Sequence, residues 1–171
     1  DYNRVPDAMS KAKASISRAI ELSPSNAIAL IEQIWISWYE KDFTACKLQA
    51  EAALETNPYE PLVLVSVRSY YLTTGIDLEL GKKYNDLALR YNETPQSWYY
   101  YGYVNYYLTN NDYGKALDYI LKSGVKNSSQ HSKAAALYWL NGEKEIAQKY
   151  YKQLIVMEPD FTLEKLVLRT F

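Results

Sequence analysis

The sequence contains few of the residues that catalytic and metal sites require. Its 171 residues include one cysteine, Cys46, and one histidine, His131. One cysteine cannot form an internal disulfide, and with one histidine there is no paired-histidine metal site and no Cys-His or Ser-His-Asp arrangement that spacing supports. The six glycines form no phosphate-binding loop. The sequence therefore predicts no catalytic residue, no metal ligand and no cofactor, and it favours a packing role for the Cys46 thiol.

The chain also lacks a block of like charge and a long apolar run. Its 19 basic and 20 acidic residues are scattered, with a formal net charge of −1. Without a basic block, direct binding to the phosphates of a nucleic acid is not expected. The longest strongly apolar run, "PLVLVSV", is far shorter than the roughly 20 residues that span a bilayer, so no membrane insertion is expected. The cellular compartment stays open, with the cytoplasm slightly favoured.

What the sequence does contain is an internal repeat. "SRAIELSP" ends at Pro24 and "EAALETNP" ends at Pro58, 34 residues later, and Pro159 lies close to four such periods after Pro24. Between the first two prolines, apolar residues recur at helical spacing from Ala27 to about Tyr39 and from Phe43 to about Glu55, with "EKDF" as a polar turn. Each period therefore predicts one hairpin of two helices.

A 34-residue period closed by proline resembles the tetratricopeptide repeat (TPR) family. In the repeat ending at Pro58 the family positions are matched by Leu30, Cys46 and Ala53. The tyrosine-rich repeat matches through Trp98 and Gly102 on its first helix and then requires two extra residues at "TNND". The last repeat matches at Ala135, Tyr138, Gly142, Ala147, Tyr151 and Pro159.

The resemblance implies an all-α, right-handed superhelical solenoid of antiparallel helix hairpins, with about ten helices. Residues 1–171 would form a single TPR-like domain, which we expect to be a fragment of a larger protein. The expected organisation is a partial repeat at 7–24, full repeats at about 25–58, 59–94, 95–127 and 128–159, and a C-terminal capping helix at about 161–170.

The segment "QSWYYYGYVNYYL", residues 96–108, carries aromatic rings on every side of one predicted helix. In a TPR stack the first helix of each repeat contacts several neighbours and also lines the concave surface. The family pattern thus implies a groove of aromatic side chains that binds a protein or peptide, while packing between repeats is the competing interpretation for any single ring. We expect Tyr103 and Trp38 to be exposed in the groove, and Trp98 and Tyr101 to be core. The predicted groove residues are Trp35, Trp38, Tyr39, Tyr99, Tyr103 and Tyr106.

The predicted function is therefore that of a non-catalytic helical-repeat module with a protein or peptide partner. An alternative stays open, because the "IELSP" and "LETNP" cadence also resembles repeats that follow a DNA-binding domain in some transcription activators. In that case the chain would be the regulatory or sensing domain of a larger bacterial protein. Self-association through either end of the stack is a further expectation, because the first predicted helix has an apolar face with no partner before it.

Overall fold

The computed structural model describes residues 7–162 and residue 164, and within them every regular element is helical. The fold confirms the predicted all-α class. The described residues contain nine α-helices and one short 3-10 helix, Ser97–Tyr100, which leads directly into the sixth α-helix. The α-helices are α1 (Ala8–Leu22), α2 (Ala27–Tyr39), α3 (Phe43–Thr56), α4 (Pro61–Thr74), α5 (Leu78–Arg90), α6 (Tyr101–Thr109), α7 (Tyr113–Ser123), α8 (Ser128–Leu140) and α9 (Lys144–Met157).

The chain divides into two compact units, one ending at Pro95 and one beginning at Gln96. The N-terminal unit contains α1 and the hairpins α2–α3 and α4–α5. The C-terminal unit contains the hairpins α6–α7 and α8–α9. Helices α2 and α3 agree with the two helices predicted between Pro24 and Pro58 to within one residue, and α1 lies before Pro24. The predicted capping helix at 161–170 lies outside the described residues.

Local side-chain signals set where most of these helices begin. The side chains of Asn26, Asp42, Asp77 and Asp112 each accept a hydrogen bond from the backbone N–H three residues further on. Asn127 does the same at α8, where Gln130 completes a capping box. Such caps satisfy backbone donors that have no partner inside the helix. Short polar residues at these positions therefore fix the start of each helix independently of the rest of the fold.

The core of the N-terminal unit lies between α2, α3 and α4. Ile34 of α2, Ala53 of α3 and Val67 of α4 are almost completely buried in one cluster. Cys46 belongs to the same cluster, and its thiol donates a hydrogen bond to the backbone oxygen of Ile34 over 3.3 Å. The expected packing role of Cys46 is thus confirmed. The small residues Cys46 and Ala53 on α3 let α2 and α4 approach this helix closely.

The core of the C-terminal unit lies between α6, α7 and α8. Val104 of α6, Ala116 and Ile120 of α7, and Ala134 and Leu137 of α8 form its buried centre. The rings of Tyr101, Tyr107, Tyr119, Tyr138 and Tyr150 surround that centre without being completely buried. Tyrosine is therefore the main filler between the helices of this unit, and the predicted packing of Tyr101 against the core is confirmed.

The predicted insertion of two residues at "TNND" is wrong. Asp112 donates its backbone N–H to the oxygen of Tyr107, just as Asp42 donates to Ser37 and Glu143 to Tyr138. The middle residue of the α6–α7 turn, Asn111, has a φ of 58°, which matches its counterparts Lys41 and Gly142. The turn therefore has the usual length. Counted from it, the position occupied by Ile34 in α2 belongs to Val104, and not to Gly102.

Candidate functional site

A stacked pair of tyrosines recurs in three of the four described hairpins. Tyr107 of α6 stacks on Tyr119 of α7 with ring centroids 5.5 Å apart, and Tyr138 of α8 stacks on Tyr150 of α9 at 5.2 Å. In the α4–α5 hairpin the pair is Tyr71 and Tyr84, at 5.9 Å. Partial burial is the main cause that raises the pKa of Tyr71, Tyr84 and Tyr138. The hydroxyl groups of Tyr71, Tyr84 and Tyr138 therefore stay protonated at neutral pH.

The α2–α3 hairpin lacks this pair and has a pocket in its place. The equivalent positions, counted from the turn, hold Ser37 and Gln49, which are much smaller than two tyrosines. Both residues line a pocket of about 230 Å³ between α1, α2 and α3. The side-chain oxygen of Gln49 is buried and has no hydrogen-bond partner. The missing aromatic volume thus leaves a recess with an unsatisfied acceptor at its edge.

A larger pocket, of about 330 Å³, adjoins this recess and opens between α1 and α2. The two share Ile16 and Ile36. We call the larger pocket the α1–α2 groove. Among the described residues that line it, Glu32 is the one with a charged side chain, and the others are apolar or aromatic. The groove is formed by Met9, Ala12 and Ile16 of α1 and by Glu32, Trp35, Ile36 and Tyr39 of α2.

Three predicted groove residues lie on α2, and the structure brings two of them together. Trp35 and Tyr39 both line the α1–α2 groove, where Tyr39 is 53% exposed. Trp38 does not line it. The Trp38 ring is half-buried and meets the edge of Phe43 at 5.3 Å, against the α2–α3–α4 core. Sequence reasoning missed the contribution of α1, although the apolar spacing of Ala12 and Ile16 was a visible signal.

The other three predicted residues lie in the C-terminal unit, and two of them are not exposed as expected. Tyr99 is 4% exposed and Tyr103 is 8% exposed, so the prediction that they are accessible in the free chain is wrong. Tyr103 is covered because its ring packs 4.5 Å from that of Tyr119 on α7. Tyr106 is half-buried and meets the edge of Tyr107 at 5.1 Å.

The prediction that Trp98 is core is also wrong. Trp98 is 38% exposed and lies in the 3-10 helix, where its indole N–H donates to the side chain of Gln96 over 2.6 Å. The match of this repeat to the TPR pattern placed Trp98 two residues out of register, because it assumed two extra residues in the turn after α6. Counted from the Asp112 cap, the position that Leu30 occupies in α2 falls on Tyr100, which is half-buried. The N-cap aspartate was the signal that would have corrected the register.

Lysine side chains lie over several tyrosine rings of the C-terminal unit. Lys122 of α7 lies 4.0 Å from the ring centre of Tyr100, and Lys133 of α8 lies 4.9 Å from that of Tyr101. Lys133 also donates a hydrogen bond to Asn105 over 3.2 Å. Cation–π contacts of this kind hold the lysines against the aromatic surface. The C-terminal unit therefore presents a mixed aromatic and basic surface.

The one cysteine and the one histidine of the chain are both buried. Burial, followed by the charge of Asp42, raises the pKa of the Cys46 thiol to about 11, so the thiol is neutral and unreactive at neutral pH. His131 is buried in the first turns of α8, and its Nδ1 donates to the backbone oxygen of Asn127 over 2.9 Å. The described residues contain no cluster of three or more His, Cys, Asp or Glu side chains that could hold a metal ion.

None of the described helices has the length and apolar character needed to cross a membrane. No protein-family model and no curated protein sequence matches the chain. Its likeness to known proteins is therefore found in three-dimensional structure rather than in sequence.

Three solved structures resemble the chain along nearly its whole length. The crystal structure of the APC/C hetero-tetramer Cut9-Hcn1 has a TM-score of 0.81 and 14% sequence identity over 96% of this chain. The chain spans 33% of that protein's length. YrrB, described as a TPR protein with an unusual peptide-binding site, has a TM-score of 0.60 and 17% identity, and covers 95% of this chain and 83% of its own.

The third structure is PilW, a type IV pilus biogenesis factor, with a TM-score of 0.57 and 17% identity. The match covers 98% of this chain and 93% of PilW. At such identities the likeness shows the fold alone. That fold is the TPR-like solenoid of helix hairpins, and the predicted resemblance to TPR proteins is confirmed at this level.

Proposed function

We propose that the chain is a non-catalytic module that binds a protein or peptide partner through the α1–α2 groove. The observation that carries the proposal is the accessible aromatic lining of that groove, where Trp35 and Tyr39 lie beside the apolar residues of α1. Rigid aromatic side chains with a polar edge provide large contact area at small entropic cost. The likeness to TPR structures, one of them described as having a peptide-binding site, supports a binding role over a catalytic one.

The remaining predicted groove residues have different roles in this proposal. Trp38 and Tyr106 are half-buried, so each keeps an accessible edge that a partner can contact. Tyr99 and Tyr103 are buried and position the neighbouring rings rather than touch the partner. The lysines over Tyr100 and Tyr101 favour acidic or polar groups next to an apolar contact. The α1–α2 groove belongs to the N-terminal unit, and the aromatic and basic surface belongs to the C-terminal unit.

The test uses peptides selected from a random library against the complete chain, with affinities measured by titration calorimetry. Trp35→Ala should weaken the selected peptides by more than about 1 kcal/mol, because it removes the largest aromatic contact of the groove. Trp139→Ala is the matched control, since Trp139 is 53% exposed on α8 and does not line the groove. Equal affinities of the wild-type chain and Trp35→Ala would refute the proposed binding site.

A further inference from the structure

The recess between α1, α2 and α3, which we call the Gln49 recess, has a filled counterpart in the next hairpin. Ser37 of α2 and Gln49 of α3 both line the recess. One repeat later the same two positions hold Tyr71 of α4 and Tyr84 of α5, whose rings stack with centroids 5.9 Å apart. Two phenol rings therefore occupy, in the α4–α5 hairpin, the place that is open in the α2–α3 hairpin.

The α1 wall of the recess supports the same correspondence. Ser17 of α1 lines the recess, and one period of 34 residues relates it to Glu51 of α3. Burial is the largest cause of the raised pKa of Tyr71 and Tyr84, and the charge of Glu51 adds to it for both rings. The carboxylate of Glu51 therefore lies near both phenol groups. The position of Ser17 is thus one that faces phenol rings in the next repeat.

The recess is a property of the α2–α3 hairpin itself. In the three other hairpins the stacked rings belong to the two helices of that hairpin, as with Tyr107 of α6 and Tyr119 of α7, and not to a preceding helix. In the α2–α3 hairpin the recess is open because Ser37 and Gln49 stand in place of the rings, while α1 already forms its third wall.

The size and the polar atoms of the recess define a class of ligand. Its volume is about 230 Å³, whereas an apolar protein cavity of about 150 Å³ already holds a benzene molecule. Ile16 and Ile36 give it apolar lining, and the charges of Lys13 and Glu40 are paired with each other, which favours a neutral ligand. The buried side-chain oxygen of Gln49 has no hydrogen-bond partner. A ring with a hydroxyl group satisfies that acceptor, and a hydrocarbon ring does not.

We propose that the Gln49 recess binds the ring of a neutral phenol, supplied either by a free phenolic compound or by a tyrosine side chain of a partner. The ring packs beside Ser37 and Ile36, and its hydroxyl group donates a hydrogen bond to Oε1 of Gln49. The recess is not lined by Trp35 or Tyr39. The inference therefore goes beyond the proposed function, which depends on those two residues.

The probe is p-cresol, which has the ring, hydroxyl and β-carbon of a tyrosine side chain. It should bind the complete chain saturably and shift the backbone amide resonances of residues 37 and 49 in NMR spectra. Toluene, which lacks only the hydroxyl group, should bind roughly tenfold more weakly. N-acetyltyrosinamide distinguishes the two sources of the phenol. If it shifts the same resonances, the recess admits a tyrosine side chain, and if it does not, the recess admits free phenols.

Variants of the recess locate the bound ring. Ser37→Tyr combined with Gln49→Tyr supplies the ring pair of the other hairpins and should abolish p-cresol binding. Gln49→Met keeps a side chain of similar length without the acceptor, so it should weaken p-cresol roughly tenfold and leave toluene binding no weaker. Trp35→Ala is the matched control in the adjoining α1–α2 groove, and it should leave p-cresol binding unchanged.

Four results would overturn the proposal: no saturable shift with p-cresol, equal binding of p-cresol and toluene, unchanged p-cresol binding in Gln49→Met, or loss of p-cresol binding in Trp35→Ala. The last result would place the ring in the α1–α2 groove. Failure of this inference is distinguishable from failure of the proposed function, because the latter is decided by whether library-selected peptides depend on Trp35.

Discussion

Gly81 of α5 provides a direct test of how closely the helices of one hairpin approach each other. A Cβ atom added at Gly81 would lie 2.7 Å from both Cγ and Cδ2 of Leu72 and 3.1 Å from Cβ of Tyr71. Carbon atoms in favourable contact are about 3.5–4.0 Å apart, so all three distances are too short. Leu72 is itself buried, and Cβ of Tyr71 is attached to the α4 backbone. The new methyl group can therefore be accommodated only if α4 and α5 move apart.

Two opposing terms set the expected effect of Gly81→Ala on the free energy of unfolding. Replacing glycine by alanine inside a helix stabilises by about 1 kcal/mol. Inserting a methyl group into a filled contact costs about 1–3 kcal/mol, and three short contacts favour the upper end of that range. We therefore expect Gly81→Ala to lower the stability by about 1–2 kcal/mol.

Gly114 of α7 is the matched control. The nearest atoms to a Cβ at Gly114 are Asn141 Oδ1 at 3.9 Å and Asp112 Oδ1 at 4.0 Å, so the methyl group has room. Gly114→Ala should then stabilise by about 0.5–1 kcal/mol through helix propensity alone. Urea unfolding followed by circular dichroism measures both variants. A Gly81→Ala protein as stable as the wild type, or effects of the same sign in the two variants, would refute the close packing of α4 on α5.

Three further predictions concern buried groups. Ala53→Leu should cost about 1–3 kcal/mol in urea unfolding by overpacking the α3 contact, whereas Glu55→Leu on the exposed side should cost little; equal costs would contradict the register of the repeat. Tyr103→Ala should cost about 3 kcal/mol or more and Trp139→Ala less than 1 kcal/mol, and the reverse order would mean that Tyr103 is a surface residue. The folded-state pKa of Cys46 is raised from 9.0 to about 11, so the folded state holds the thiol proton more tightly than the unfolded state. The contribution of this bound proton to the free energy of unfolding is complete below about pH 9 and is lost at about 1.4 kcal/mol per pH unit up to about pH 11. If the stability of the wild type and of Cys46→Ala falls in parallel over this range, the raised pKa of Cys46 is excluded.

The hairpins could be predicted from the sequence because their signals are local. The caps at Asn26, Asp42 and Asp77 act on backbone groups three residues away, and Gly75 ends α4 with a φ of 69°. The apolar spacing of α2 and α3 and the prolines that follow α1, α3 and α9 act over one or two turns. None of these interactions involves a distant part of the chain, so the secondary structure and the repeat period can be predicted from the sequence.

The identity of the accessible rings could not be predicted in the same way. In residues 96–108 every side of the helix carries an aromatic residue, so periodicity cannot distinguish an inward ring from an outward one. Trp98 and Tyr103 exchange their expected environments because the register of the helix depends on the length of the turn that follows. That length is fixed by the backbone hydrogen bond from Asp112 to Tyr107 and by the Asp112 cap, and the aromatic pattern of residues 96–108 does not reveal it.

The sequence by itself determined the all-α class, the hairpin period, the inward small residues such as Ala53, and the absence of a paired-histidine site. Only the tertiary structure decided which surface is open. Trp35 and Tyr39 form a groove because α1 lies beside them, and Ser37 and Gln49 leave a recess where other hairpins have stacked tyrosines. The physical reason is that helix formation depends on contacts within a few residues, whereas burial depends on the side chains that a different helix brings to the same place.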